Sequence, residues 1–160
     1  MVPDYNSDKQ KSLVFASTVY STKSSETNAI LLADSVRTFA GSLSKSPILF
    51  FTPEYGKQLS SAAKDSLVSL NVKVIPFKID FETLQFPLAG DVFAAGVAES
   101  TVYGQADLLA WLGTNTVVLR EPEAFLLQNE KNLGYRPVHH ILVGSRSTTV
   151  FVPNQARRSV

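Results

Sequence analysis

The residues of this chain that are able to do chemistry are few. Gly113, Thr114 and Asn115, with Thr116 behind them, form a small, turn-prone group directly after the apolar run Leu108 to Leu112. A parallel sheet presents ligand sites just beyond the carboxyl ends of its strands, so this group stands where a ligand is met. Ser17, Thr18 and Tyr20 place three hydroxyls at the end of another apolar run. Arg136 and Arg146 carry the planar fork that grips phosphate oxygens in pairs. His139 and His140 are adjacent, and neighbours on a strand point to opposite faces, so they do not share one metal from a regular strand. Glu99 and Asp107 have no paired partner and read as a helix-face and a turn residue rather than as acid and base. Cysteine is absent, which removes thiolate metal sites, disulfides and a cysteine nucleophile. The sequence contains no G-x-G-x-x-G, G-x-x-x-x-G-K-[ST], G-x-S-x-G or H-E-x-x-H pattern, and no N-x-[ST] sequon.

The elements that position these groups follow from periodicity. Leu13 to Tyr20 reads as a first strand, rich in β-branched and aromatic residues. A helix from Glu26 to Leu43 follows, with Ser25 as N-cap and Leu32, Val36, Phe39, Ala40 and Leu43 on one face, and Pro47 bars its continuation. Ile48 to Thr52 is a second strand, and the turn Pro53 to Gly56 leads to a helix whose Leu59, Ala63, Leu67 and Leu70 share a face. Asn71 suits the left-handed position past its end, and Val72 to Pro76 is a third strand.

Residues 77–90 mix aromatic and charged residues with Pro87 and Gly90 and read as an irregular connection. Asp91 then suits an N-cap for a helix through Tyr103 that turns Val92, Gly96 or Val97, and Ser100 toward the sheet. Leu108 to Leu112 is wholly apolar, the mark of a central strand covered on both faces. A second apolar run, Val117 to Leu119, is closed by Arg120, Glu121 and Pro122, and Glu123 to Leu127 reads as a helical turn. Further strands are expected at Leu133 to Gly144, split by Pro137, and at Thr148 to Val152, with residues 1–11 and 153–160 loosely held. Strands separated by amphipathic helices imply right-handed crossovers. The fold class is therefore α/β, a three-layer α/β/α arrangement with a mostly parallel sheet.

Composition sets the outer bounds. The 160 residues suit a single domain able to bury roughly two-thirds of its unfolded surface. With 18% charged residues and a net charge of +1, nothing electrostatic points to nucleic acid, and no apolar run is long enough to cross a membrane. The expected compartment is the cytoplasm, with which the lack of cysteine is compatible.

The pattern LAWLGTNTVVLREP, an apolar strand, a polar tripeptide, an apolar triplet and Glu-Pro, resembles the central segment of GT-A-type glycosyltransferases, the nucleotide-diphospho-sugar transferase superfamily. NAILLADSVR, placed as the first helix, and LGYRPVHHILVGS extend the resemblance from about Leu13 to about Ser145, which in full-length members is the nucleotide-binding half. The family tripeptide is usually Asp-x-Asp, whose carboxylates hold Mg²⁺ or Mn²⁺ against the donor diphosphate in metal-dependent members. Here both carboxylates are replaced, by Gly113 and Asn115.

The resemblance implies a domain that binds a nucleotide or nucleotide sugar through Ser17, Thr18, Tyr20, Gly113, Thr114 and Asn115. The departure from it at Gly113 and Asn115 disfavours Mn²⁺ or Mg²⁺, and with it metal-dependent transfer. Arg136 and Arg146 would stand in as phosphate ligands if the chain were a metal-independent transferase of hexosyl groups. The other class left open is a non-catalytic interaction or assembly module, including a homo-oligomer, suggested by the aromatic residues between Phe77 and Leu88.

Overall fold

The computed structural model describes residues 11–86, 88–127, 131 and 133–135. The chain divides into two compact units, Met1–Leu126 and Leu127–Val160. Of the second unit, Leu133 and Tyr135 are both exposed. Arg136, His139, His140 and Arg146, and the strands expected at Leu133 to Gly144 and Thr148 to Val152, lie wholly or largely outside the described residues.

The first unit is an α/β structure built on four parallel strands. Strand β1 (Leu13–Thr18) leads into helix α1 (Lys23–Phe39), a 3-10 turn at Gly41–Lys45 and strand β2 (Ile48–Pro53). Helix α2 (Ser61–Ser69) and strand β3 (Val72–Phe77) complete a second crossover. A short helix α3 (Phe81–Leu84) precedes the long helix α4 (Ala89–Val102), which returns the chain to strand β4 (Leu108–Trp111). The spatial order is β3-β2-β1-β4. Winding proceeds outward through β2 and β3, then reverses to place β4 on the far side of β1.

Because side chains alternate across a strand, each strand feeds two cores. On one face Leu13, Phe15, Ile48, Phe50 and Val72 pack with Leu32, Val36 and Leu67 of α1 and α2. On the other, Ala16, Phe51 and Phe77 pack with Ala94 and Ala98 of α4. Phe15, Phe50 and Phe51 are at most 1% exposed, each contributing roughly 1.5–3 kcal/mol of transfer free energy.

Several expectations are corrected here. Among the described residues β4 pairs with β1, and its four residues are half-buried. Leu108 and Ala110 pack toward α1 while Leu109 and Trp111 pack toward α4. Helices thus cover both faces of β4, as its wholly apolar run implied. Helix α1 starts three residues before Glu26 because the Thr22 hydroxyl accepts from Ser25 N–H and caps it. The Ser25 hydroxyl instead reaches back to accept from Tyr20 N–H. Helix α1 also ends at Phe39, which is half exposed, and Leu43 reaches the core from the 3-10 turn.

The largest correction concerns residues 77–102. The connection is not irregular throughout: the Asp80 carboxylate caps α3 by accepting from Thr83 N–H. Helix α4 begins at Ala89 behind Leu88, which takes the left-handed conformation at φ 65°, so Asp91 lies in the first turn rather than at the cap. Its buried face is Gly90, Ala94, Ala98 and Val102; Val92, Gly96 and Ser100 are exposed, while Val97, the alternative to Gly96, is partly buried against the same core. Small residues win the buried face because they let the helix lie close against Phe51 and Phe77.

Arg37 ties this frame together. Its guanidinium donates to the carbonyls of Leu70 and Asn71 beyond α2 and of Ser44 and Ser46 before β2. Burial pulls its pKa below the usual arginine range, and four carbonyl acceptors offset that desolvation.

Candidate functional site

In a doubly wound sheet, a crevice opens at the carboxyl ends of the two strands between which the winding reverses. Here those strands are β1 and β4. Parallel pairing runs Leu13 with Leu108 through Ala16 with Trp111, so Ser17 and Thr18 project just beyond the last paired residue of β4. Leu112 N–H donates to Ala16 carbonyl at 2.8 Å, after which residues 113–116 turn away from the sheet.

That turn is fixed locally. Thr116 donates to the Gly113 carbonyl from both its backbone N–H and its hydroxyl, at 3.1 and 2.6 Å. The Asn115 side chain folds back over Gly113: a Cβ at position 113 would lie 2.7 Å from Asn115 Oδ1. Downstream, Val118 N–H donates to the buried Ser35 hydroxyl of α1, and Glu121 accepts from both Ser42 N–H and the Ser42 hydroxyl. Phe125 meets Phe15 edge to face at 6.3 Å between ring centres. These contacts hold the stretch after β4 over α1 instead of letting it continue the sheet.

Ser17, Thr18, Tyr20, Gly113, Thr114 and Asn115, spread over nearly a hundred residues of chain, thus line one crevice of about 230 Å³. Asp91, Trp111 and Leu112 complete the lining. Ser17 is 1% and Thr18 4% exposed, and neither hydroxyl has a hydrogen-bond partner among the described residues. A buried polar group left unpaired is costly, so two of them at one crevice ask for a partner there.

Asp91 was not among the candidates drawn from sequence. A helix that follows a parallel strand starts at the carboxyl end of the sheet, so any polar side chain in the first turn of α4 faces the same end as the site. That is the signal by which Asp91 is legible. Its Oδ1 accepts from the Tyr20 hydroxyl at 3.3 Å. Tyr20 is pushed up to about 12, first by burial, then by the charge of Asp91 and the hydrogen bond to it. Gly90 makes the contact possible, since a Cβ there would lie 2.3 Å from the Tyr20 hydroxyl.

The donor set does not fit a hard divalent cation. Gly113 offers no side chain, Asn115 a neutral amide and Asp91 a single carboxylate already engaged by Tyr20. Among the described residues, no three His, Cys, Asp or Glu side chains gather into a metal-holding group. Asp107 lies at the opposite end of the sheet, where its carboxylate accepts from the N–H and hydroxyl of Ser12, and Glu99 is exposed on α4. Among the described residues no helix is long and apolar enough to cross a membrane. No family profile matches this chain, and no curated protein matches it.

Proposed function

We propose that this chain is a nucleotide-binding domain of the GT-A type that takes a nucleotide or nucleotide sugar at the carboxyl ends of β1 and β4, without metal-dependent transfer. The observation that carries the reading is the pair of buried hydroxyls of Ser17 and Thr18, without a partner among the described residues, at the crevice where the winding reverses. A parallel sheet in the order β3-β2-β1-β4 with helices on it is compatible with the three-layer architecture of that superfamily. The donor set of the tripeptide argues against a working metal site.

Isothermal titration with UDP and GDP, each with and without Mn²⁺, tests it. Binding of at least one nucleotide is expected with an affinity that Mn²⁺ leaves unchanged, and Ser17→Ala weakens it about tenfold by removing one buried donor. A strict requirement for Mn²⁺ overturns the metal-free part of the reading, and no binding of either nucleotide overturns the whole.

A second reading, assembly through an apolar surface, is favoured by a separate observation. Phe81, Phe86, Leu88 and Val92 are between 52% and 73% exposed, and a shallow groove on α4 runs between Phe93 and Val97.

A further inference from the structure

We propose that the crevice selects one neutral, hydroxyl-bearing ring, the ribose of a nucleoside or the ring of a sugar, through the Asp91 carboxylate, and leaves any phosphates outside. The proposal rests on reading the crevice as a ligand site and narrows what that site takes.

Size comes first. About 230 Å³ falls below the roughly 300–1,000 Å³ that enclose a drug-sized ligand. One ring fits such a space, and a nucleoside diphosphate does not.

Charge comes second. Asp91 is the charged side chain among the described lining residues, and it is an acceptor only. A diphosphate beside it meets like charge, and no lysine, arginine or histidine among those lining residues offsets that.

Hydrogen-bond type comes third. Ser17 and Thr18 each have a buried hydroxyl able to donate and accept, while Asp91 requires donors. A ligand hydroxyl satisfies both kinds at once, donating to Asp91 and accepting from Ser17 or Thr18. An ammonium group satisfies Asp91 alone and leaves the serine and threonine donors unpaired. A vicinal diol is the group that uses the whole lining.

Titration of the whole chain with uridine, guanosine, UDP and GDP separates the possibilities, with Asp91→Asn alongside. The asparagine keeps the shape and an acceptor for Tyr20 but loses the charge. A nucleoside is expected to bind within about threefold of its diphosphate, and Asp91→Asn to weaken it about tenfold. The 2′,3′-dideoxy nucleoside should bind the wild-type chain about tenfold more weakly than its parent but bind the variant no more weakly, since the diol and the carboxylate form one contact. A diphosphate at least thirtyfold tighter than its nucleoside overturns the proposal and leaves the nucleotide-binding reading standing. Failure of all four compounds to bind overturns both. An unchanged affinity in Asp91→Asn, with the dideoxy compound equal to its parent, removes Asp91 from recognition and overturns the proposal as well.

Discussion

Tyr20 sits where the first crossover leaves the sheet, its ring over Gly90 and its hydroxyl donating to Asp91. Because its folded pKa is raised to about 12 from the ordinary 10, the unfolded chain loses the tyrosine proton first as pH climbs. The stabilisation is fully present below about pH 10 and is lost between about 10 and 12. After allowance for solvent screening, it amounts to roughly 1 kcal/mol. Urea denaturation of wild type and Tyr20→Phe across that range should show the wild type losing this margin while the difference between them vanishes. A constant difference from pH 8 to 12 would mean that Tyr20 is not held as a buried neutral donor. Glu26 carries the opposite sign. Its carboxylate accepts from the N–H and hydroxyl of Ser60 at the cap of α2 and is held below the usual glutamate range, so its contribution is present near neutrality and fades as acid protonates it.

At the scale of elements, β1, β2 and β3 were legible because continuous apolar runs bounded by turn residues carry their own limits. Ala63 and Leu67 likewise mark the buried face of α2 by spacing, while Leu59 reaches the core from just before its cap, and Asn71, at φ 53°, takes the left-handed position that its side chain tolerates. Helix α4 was misread because hydrophobic size competes with fit. Spacing from Val92 through Gly96 or Val97 to Ser100 suggests one face, yet Ala94 and Ala98 are the residues with no exposure. Two substitutions decide which face governs. Ala98→Leu forces a larger side chain against Phe51 and should cost about 1–3 kcal/mol, whereas Val92→Asp on the outer face should stay within about 0.5 kcal/mol. Urea midpoints in the reverse order would mean that the helix is turned by roughly half a revolution from this arrangement.

For the molecule as a whole, the reversal of winding between β1 and β4 does what no local motif does: it carries residues from 17 to 115 to one crevice. Ser17, Thr18, Tyr20 and the 113–115 group were legible as candidates because each follows an apolar run, and strand ends are where parallel sheets meet ligands. Asp91 was not, because its place depends on the start of a helix whose left-handed leader, Leu88, has no signature in residue type. The crevice and the groove on α4 share no lining residue, so ligand binding and assembly have separate readouts. If the exposed Val92 and Phe93 mediate contact with a second copy, multi-angle light scattering should give a mass that rises with concentration, because burying that surface in a partner removes apolar area from water. Val92→Asp, which leaves the fold intact by the reasoning above, should hold the mass at that of one chain, since a carboxylate at the centre of an apolar contact is buried without a partner. A wild-type mass equal to one chain at every concentration removes self-association through this face.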